Sequence, residues 1–588
     1  MAKDVINGRS NGAYHDSGFG SKADNNYEKW IGLYDRNDYA NMPEIENGPL
    51  LSIIMPVYNP QIGYLEQAIQ SVVGQVYKNW ELCIADDKSD KEACIKVIEG
   101  YAKKDDRIKY LLRSENGHIS AASNSAISIA TGQYIVLLDQ DDCIHPMALY
   151  YVAKEILEYP ESAIIYSDED KIGVDGKRCG PYFKCAFNYD LFLSHNLISH
   201  LGVYSRKIVD EVGGFRIGLE GSQDYDLALR CIERIDEKQI RHIPRVLYHW
   251  RMHENSTSTN VRSKPYAYLA ARRAIGDHLC NMGVSAKVEP APEARGACRV
   301  RYLLKDKHPS IEIVVLTRDR ADLLSMCIYS VLKKTRYDNY CITIVDNGSL
   351  EPGTFELFEN LKHDDRINVV RRAEPFNFSK LNNYAVGRSK SDYVCLLNND
   401  VEVIDGDWLT EMLSHAIQDK VGAVGARLWY PDDTLQHAGV ILGIGGIANN
   451  AHHKLPKGYG GYFGRAVLQQ SYSAVTGACL MVSRLLYEEV GGLNEDELGV
   501  AYNDVDFCLK ILAKGYRNVW TPYAELYHHE SASRGREIYP EEVDRLNNES
   551  LYMKKHWGKI LKNDPAYSPN LTDRNMHFSY AWPPRTVN

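Results

Sequence analysis

The chain has 588 residues, too many for a single hydrophobic core, so two or more domains are expected. Hydrophobic residues make up 44% of it and charged residues 25%, the proportions of an ordinary globular protein. The formal net charge of −10 argues against a protein that coats nucleic acid, so we expect no nucleic-acid partner. The 13 cysteines form no CxxC pair, which favours structural thiols in a reducing compartment.

Residues 1–48 form a polar N-terminal segment in which YEKWIGLYDR (27–36) predicts a short docking helix. This segment lacks the apolar stretch of a signal peptide. No apolar run in the chain approaches the roughly 20 residues that a membrane-spanning helix needs. We therefore expect a cytoplasmic protein, and peripheral contact with the inner face of the cell membrane stays open.

Residues 49–260 are predicted to form a first α/β unit, because strand-like and helix-like segments alternate along them. The strand SIIMPVYN is followed by a helix, the strand ELCIA ends at Asp86, and the strand QYIVLLD ends at Asp139. In a parallel sheet, ligands sit outside the carboxyl ends of the strands. Both aspartates fall at such ends.

Three further segments complete the chain. Residues 261–308 are predicted to be a helical connector that ends in a basic strand-like stretch, CRVRYLL. Residues 309–535 form a second unit, and residues 536–588 form a C-terminal helix and tail.

The second unit repeats the first, with matching residues 259 or 260 positions apart. The pairs are Asn124 with Asn383, Tyr134 with Tyr393, Asp139 with Asn398, Asp141 with Asp400, and Asp86 with Asp346. A repeat of this length indicates a duplicated domain rather than a solenoid unit.

The triplet Asp139-Gln140-Asp141 places two carboxylates just past a hydrophobic strand, where oxygen ligands can hold a divalent cation. The spacing alone is common, and a solvated turn or a helix cap is the alternative. Recurrence after the strand YVCLL in the second unit favours a metal or phosphate role. Asn398 replaces Asp139 in that copy, so the second site loses one charge while Asp400 is kept.

Asp86 and Asp346 each end the second strand of their unit. A carboxylate there can accept hydrogen bonds from a nucleotide base. The alternative is an Asx-type turn, because DDKSD and DNGSL are good turn sequences. The repetition favours the nucleotide contact.

The order IIMPVYN, ADDKSD, LLDQDD and QDYDLALR resembles glycosyltransferase family 2, whose members have the GT-A fold. The second copy, from VVLTRDR through VDNGS and LLNNDVEV to NDVDFCLK, resembles the branch with rhamnosyltransferase-like and polysaccharide-assembly members. The resemblance covers nearly all of residues 49–535, so it implies two GT-A domains in tandem.

The resemblance also implies roles for the matching residues of both units. The implied donor-binding residues are Pro56, Tyr58, Asp86, Asn124 and Asp139 in the first unit, and Thr317, Asp346, Asn383 and Asn398 in the second. The implied metal or diphosphate contacts are Asp141, His253, Asp400, and one of His528 and His529. The cofactor it implies is manganese or magnesium.

Asp224 and Asp504 occupy the family's catalytic-base position, at the start of the helical runs DYDLALRCIERI and DVDFCLKILAKG. A base must take the proton of the acceptor hydroxyl as its oxygen attacks the sugar. Aspartate is also a favoured N-cap, which is the structural alternative. The family usually has an acidic residue just before the base, but here Gln223 and Asn503 stand there.

The leading hypothesis is therefore a bifunctional, metal-dependent, inverting enzyme that transfers hexosyl or rhamnosyl groups. Its expected donors are UDP- or dTDP-sugars, and its expected acceptor is a growing cell-surface polysaccharide or a lipid-linked glycan precursor. The alternative is that only the first unit is catalytic and the second binds glycan or acts as a scaffold. A nucleotidyltransferase is a third hypothesis, because such enzymes also bind nucleotides at the ends of parallel strands.

Overall fold

The computed structural model describes residues 22–35, 42–252, 265–304, 308–529 and 540–585. These residues form two α/β domains in tandem, which confirms the predicted fold class. Across those ranges, no helix combines the length and the apolar character needed to cross a membrane. The predicted bounds of the five segments stay a prediction.

The first domain begins as the sequence predicts, with strands and helices in alternation. Its elements, after the N-terminal helix α1 (Lys22–Tyr34), are β1 (Leu51–Val57), α2 (Ile62–Val73), β2 (Trp80–Asp86), α3 (Glu92–Ala102), β3 (Ile108–Leu112), α4 (His118–Ser128), β4 (Tyr134–Leu137), β5 (Cys143–Ile144), α5 (Ala148–Glu158), β6 (Ile164–Ile172), β7 (Arg178–Tyr182), α6 (Tyr189–Phe192), β8 (Val203–Ser205), α7 (Arg206–Glu211), α8 (Gln223–Ile232) and β9 (Ile240–Arg251).

The sheet of the first domain has the strand order β3-β2-β1-β4-β8-β6-β9-β5, with β7 on the edge of β6. Strands β1 to β4 are parallel, and β8 runs antiparallel between β4 and β6. Strand β1 is buried along almost its whole length, as expected for an apolar strand covered on both faces. The parallel half therefore directs the ends of β1, β2 and β4 to one edge.

A helix and a hairpin lie between the domains, and the second domain then repeats the first. The elements are α9 (Pro265–Asn281), β10 (Ala286–Pro290), β11 (Cys298–Tyr302), β12 (Ile311–Thr317), α10 (Ala321–Lys334), β13 (Tyr340–Asp346), α11 (Pro352–Leu361), β14 (Ile367–Arg371), α12 (Phe378–Val386), β15 (Tyr393–Asn398), β16 (Val401–Val403), α13 (Trp408–Ala416), β17 (Val421–Trp429), β18 (Leu435–His437), β19 (Val440–Leu442), β20 (Ala448–Asn450), β21 (Gln470–Tyr472), β22 (Cys479–Ser483), α14 (Arg484–Glu489), α15 (Asn503–Ala513), β23 (Arg517–His528) and α16 (Pro540–Lys562).

The second sheet has the order β14-β13-β12-β15-β22-β17-β23-β16, in which every strand matches its counterpart in the first sheet. Parallel and antiparallel pairings also match, including the antiparallel pairs β4·β8 and β15·β22. The duplication seen in the sequence motifs therefore extends over the main strand order of the sheet, to which the second domain adds β21 beside β23.

Each domain is followed by a helix that packs beside the helix carrying the predicted base. In the first domain, Ser222 Oγ donates a hydrogen bond to the Ala267 carbonyl of α9 at 2.9 Å. In the second domain, Trp557 Nε1 of α16 donates to Asp506 Oδ1 of α15 at 2.8 Å. Helix α9, which was predicted to be a connector, thus occupies the same place beside the first domain that α16 occupies beside the second.

The two domains are joined by buried polar contacts and by a shared apolar core. Arg517 Nε of the second domain donates to Asp190 Oδ2 of the first at 2.8 Å. The N-terminal helix α1 adds a further tie, since Tyr27 donates to Asp170 at 2.7 Å and Trp30 to the Ala581 carbonyl at 3.2 Å. The chain therefore forms one packed body rather than two loosely linked units.

Candidate active sites

The predicted acidic residues gather at one edge of each sheet. In the first domain, Val57 pairs with Asp86, and Asp139 follows the end of β4 by two residues. In the second, Thr317 pairs with Asp346, and Leu316 pairs with Asn398. This edge is where ligands of parallel sheets bind.

Asp86 and Asp346 are buried, and each closes a turn after its strand. Asp86 Oδ2 accepts the Ser89 N–H at 2.9 Å, and Asp346 Oδ1 accepts the Ser349 N–H at 2.8 Å. The Asx-type turn that was the alternative is therefore present in both domains. A contact to a nucleotide base from the remaining carboxylate lone pairs stays a prediction.

The middle residue of each triplet, which the motif left unassigned, ties the first strand to the triplet loop. Gln140 accepts the Tyr58 N–H at 2.8 Å and donates to the Tyr58 carbonyl at 3.2 Å. Asn399, at the matching position, donates to Thr317 Oγ1 at 3.2 Å. Pro56 lies in β1, paired with Ala85 of β2. The donor contacts predicted for Pro56, Tyr58 and Thr317 stay a prediction.

Asn124 and Asn383 each hold a glycine-rich loop by its backbone. Asn124 donates to the Phe215 carbonyl and accepts the Phe215 N–H, both at 2.8 Å. Asn383 makes the same two contacts with Leu493, both at 2.9 Å. Both amides therefore have a structural role, and the donor-binding role implied for them stays a prediction.

Three side chains of the first domain form a cluster with metal-ligand geometry, which we call the donor-side cluster. One ligand atom each from Asp139, Asp142 and His200 lies within 4.8 Å of the other two. Two carboxylates and an imidazole suit a manganese or magnesium ion. Neither Asp142 nor His200 was among the predicted residues.

Asp141, the predicted metal ligand, is not a member of this three-residue group, although it adjoins it along the chain. Its carbonyl oxygen accepts a hydrogen bond from Arg251 Nε at 2.8 Å. A metal contact from the Asp141 carboxylate stays a prediction. The predicted ligand His253 lies outside the described residues.

Asp142 is held by two hydrogen bonds, and its pKa is raised. Its carboxylate accepts the Tyr248 hydroxyl at 2.6 Å and the Arg251 N–H at 2.7 Å. Burial, together with the negative charges of Asp141 and Asp139, raises the pKa of Asp142 well above its ordinary value. A cation in the donor-side cluster would relieve this concentration of negative charge.

His200 reaches the donor-side cluster from the loop before β8. Its ring stacks on Tyr248 with the ring centroids 4.2 Å apart. Its carbonyl accepts a hydrogen bond from the buried Lys184 Nζ at 2.7 Å. No motif of the sequence pointed to His200, because only the antiparallel pairing of β8 with β4 places it beside Asp139.

The second domain replaces all three members of the donor-side cluster. Asn398 and Val401 match Asp139 and Asp142 at the repeat offset. Ser205 pairs with Tyr134 in the first sheet, as Ser483 pairs with Tyr393 in the second. Five residues before these serines stand His200 in the first domain and Ala478 in the second, so the imidazole is lost as well.

A different set of side chains occupies this edge of the second domain. His528 Nε2 lies 3.2 Å from Asp400 Oδ1 and 3.4 Å from Asn398 Nδ2. Burial alone would raise the pKa of Asp400, but His528 and His529 beside it bring that pKa below its ordinary value. His529 Nε2 lies 3.5 Å from Glu402 Oε2. Two carboxylate–imidazole pairs, Asp400 with His528 and Glu402 with His529, thus lie at this edge.

The strand register assigns His528 to an unexpected counterpart. Val401 pairs with His528 in the second sheet, while Cys143 pairs with His249 in the first. Because Cys143 is one residue past the position that matches Val401, His528 corresponds to Trp250. The histidine clusters of the two domains are therefore not equivalent position by position.

The predicted bases occupy the same place in both domains. Asp224 and Asp504 are the second residues of α8 and α15, and the N-caps are Ser222 and Tyr502. Neither aspartate is therefore the N-cap that was the structural alternative. Burial raises the pKa of both carboxyls above the ordinary value. A raised pKa makes each carboxylate a stronger proton acceptor.

Each predicted base accepts a hydrogen bond from a loop residue that the motifs did not reveal. Asn196 Nδ2 donates to Asp224 Oδ2 at 2.8 Å. The Gly477 N–H donates to Asp504 Oδ2 at 2.8 Å. These donors come from the loops that precede β8 and β22. The base position and the donor-side edge are thus linked through the same loop in each domain.

Comparison with known proteins gives matches in both domains. A family model described as "Glycosyl transferase family 2" matches residues 52–213 and 312–491. The chain is 49% identical over 534 residues to "Uncharacterized protein y4gI" of Sinorhizobium fredii, covering 90% of this chain and 58% of that protein. It is 36% identical over 526 residues to "O-antigen biosynthesis protein RfbC" of Myxococcus xanthus, covering 89% and 40%.

A solved structure is also similar. It is that of S. aureus TarS 1–349 in complex with UDP-GlcNAc, with 20% sequence identity and a TM-score of 0.33. The similarity covers 39% of this chain and 66% of that one. The chain spans about 58% and 40% of the lengths of the two curated relatives above.

Proposed function

Because the chain belongs to glycosyltransferase family 2, we propose that it transfers sugars at two sites, one in each domain. The family match in both halves and the repeated strand order confirm the two tandem GT-A domains expected from the motifs. The observation that carries the proposal is the recurrence, beside the ligand-binding edge of each sheet, of a half-buried aspartate whose pKa is raised.

The proposed reaction is a single displacement at the anomeric carbon. The acceptor hydroxyl gives its proton to Asp224 in the first domain, or to Asp504 in the second, as its oxygen bonds to the sugar. The bond from the anomeric carbon to the diphosphate breaks, and the nucleoside diphosphate leaves with the electron pair. Burial prepares both carboxylates to accept a proton.

The donor-side cluster fits a divalent cation because its two carboxylates and imidazole converge. Such a cation, when bound, neutralises the negative charge that gathers on the leaving diphosphate. Asp139, Asp142 and His200 would hold it, and Asp141 adjoins them. Within the cluster, Tyr248 and the Arg251 N–H fix the orientation of Asp142.

The proposed donors are nucleotide-sugars such as UDP- or dTDP-sugars, with hexosyl or rhamnosyl groups. The proposed acceptor is a cell-surface polysaccharide or its lipid-linked precursor, at the inner face of the cell membrane. Support comes from the 36% identity to a relative named for O-antigen biosynthesis.

A second candidate function remains for the second domain. The loss of all three cluster residues, at Asn398, Val401 and Ala478, favours a domain that binds glycan without transferring sugar. The retained base, Asp504, favours transfer.

Separate substitutions at Asp224 and Asp504 decide between these functions. Nucleotide-sugars would be offered with a polysaccharide acceptor fraction, and the linkages formed would be identified. Loss of one linkage with each substitution supports two active sites. If Asp504→Asn leaves every linkage unchanged, the second domain does not transfer sugar.

A further inference from the structure

A groove of about 890 Å³ lies beside the second domain's base helix, between α16 and the loop of residues 494–501. We call this loop the acceptor loop, because it leads directly to Asp504. Phe376 and Asn377, which precede α12, form one end of the groove. Tyr552 and Leu551 of α16 line the facing wall.

The groove lies near the catalytic-base position. The Phe378 N–H, next to Asn377 at one end of the groove, donates to the Gly499 carbonyl of the acceptor loop at 2.7 Å. A Cβ placed on Gly477 would lie 3.4 Å from the Asp504 Cβ and 3.6 Å from the Phe378 ring. Phe378 thus links the end of the groove to the surroundings of Asp504, although Asp504 is not itself among the residues that line the groove.

Helix α16 holds the acceptor loop with one buried side chain. The Glu549 carboxylate accepts the Val500 N–H at 2.8 Å and the Ala501 N–H at 3.2 Å. Glu549 is only 2% exposed, so these bonds are shielded from water. The length of the glutamate side chain separates the helix from the loop and leaves the groove between them.

The first domain has a closer arrangement at the matching place. Helix α9 lies directly on the loop before Asp224, where a Cβ on Gly221 would come within 2.8 Å of the Ala267 Cβ. The Ser222 hydroxyl donates a hydrogen bond directly to the Ala267 carbonyl, with no long side chain between the helix and the loop. The two domains therefore differ in the space beside the base as well as at the donor-side edge.

The groove has the chemistry of a sugar-binding surface with a negative charge. Phe376 and Leu551, which are 43% and 62% exposed, offer apolar faces to sugar rings. Six carboxylate and two cationic side chains line the groove, and carboxylates accept hydrogen bonds from hydroxyl groups. An anionic glycan would meet like charges there.

We propose that this groove binds the acceptor glycan of the second domain, and that this glycan carries no negative charge. The assignment of the bound glycan as an acceptor rests on the proposed function of the second domain. Binding of the glycan to the groove does not require that the domain transfers sugar. Helix α16, which lies beyond the residues matched by the family model, supplies one wall.

The test is glycan-array binding by the full chain, on an array that holds neutral and uronate-containing oligosaccharides. The groove variants are Phe376→Ala and Tyr552→Ala, and the control is Tyr266→Ala, an exposed tyrosine of α9. We expect the wild-type protein and the control to bind neutral glycans. Each groove variant is expected to bind them about tenfold more weakly or worse.

Three results would overturn the proposal: no binding to any neutral glycan, preferential binding to uronate-containing glycans, or binding that both groove variants leave unchanged. Asp504→Asn separates this proposal from the proposed function. It is expected to stop transfer and to keep glycan binding. If the wild-type protein binds glycan through the groove but transfers no sugar at the second domain, the groove is a glycan-binding site and the proposed catalysis by that domain is wrong.

Discussion

The two domains share one sheet order and one base position, yet they differ at the edge where the donor is expected. Asp224 and Asp504 stand at the same helix position with pKa values shifted in the same direction. In contrast, Asp139, Asp142 and His200 are replaced by Asn398, Val401 and Ala478. Between the two copies, the position of the proposed base is therefore kept, whereas the residues proposed to bind the cation are replaced.

The same comparison extends to the helix that follows each domain. Helix α9 packs directly on the loop before its base, whereas α16 reaches the acceptor loop through Glu549. The two domains thus share one strand order but differ in the contacts around the proposed base. Substitutions at the residues that differ, and at those that match, show whether these differences have a functional consequence.

Replacing one base is expected to abolish one linkage only. Asp224→Asn and Asp504→Asn should each slow transfer by their own domain by about 10²- to 10⁴-fold, the usual contribution of a general base. Product linkages, identified by mass spectrometry and NMR, report each domain separately. Asp210→Asn, at an exposed ion pair with Arg206, is the control. Equal loss of both linkages from either single substitution would contradict two independent sites.

Removal of the imidazole should weaken cation binding in the first domain. We expect His200→Ala to weaken manganese affinity at least about tenfold, because one of three convergent ligands is lost. Titration calorimetry with manganese chloride measures this affinity. His363→Ala, an exposed histidine of the second domain, is the matched control. Unchanged affinity in His200→Ala would exclude this histidine as a ligand.

The pH profile should reveal the hydrogen bond between Asn196 and Asp224. The base works only as a carboxylate, so transfer is present above its raised pKa and is lost as the pH falls through it. Asn196 stabilises the charged form and lowers that pKa. In an Asp504→Asn background, Asn196→Ala should move the acid limb of kcat/KM to higher pH. A shift to lower pH would reject this role of Asn196.

The smallest effect is expected at the amides that hold the glycine-rich loops. Asn124→Ala removes two hydrogen bonds to Phe215 and should cost about 1–3 kcal/mol of stability. Denaturant unfolding measures the loss, and the donor KM should stay unchanged. Asn124→Asp is the near-isosteric comparison. A raised donor KM without loss of stability would instead support the donor-binding role implied by the motifs.

Much of the fold followed from local patterns in the sequence. Alternating strands and helices predicted two α/β domains, and strand ends placed Asp86 and Asp139 at one sheet edge. The donor-side cluster was only partly predictable. His200 reaches Asp139 because β8 pairs antiparallel with β4, a long-range pairing that no local motif encodes.

Asn124 and Asn383 also show that a local motif does not determine which residues a side chain contacts. The motif implied that Asn124 contacts the donor, but the structure gives it a partner 91 residues away, at Phe215. Asn196 and Gly477 were equally invisible, because their loops approach the bases only after the sheets have formed. Residue spacing predicts what lies on an element, whereas the packing of elements decides what each side chain contacts.

The difference between the domains is tested most directly by titrating manganese into the two single-site proteins. Asp504→Asn leaves the first domain active, and Asp224→Asn leaves the second. We expect transfer by the first domain to need about tenfold less manganese for half-maximal rate than transfer by the second, because among the described residues three convergent ligands are found in the first domain and not in the second. Identical manganese dependence in the two proteins would contradict the account.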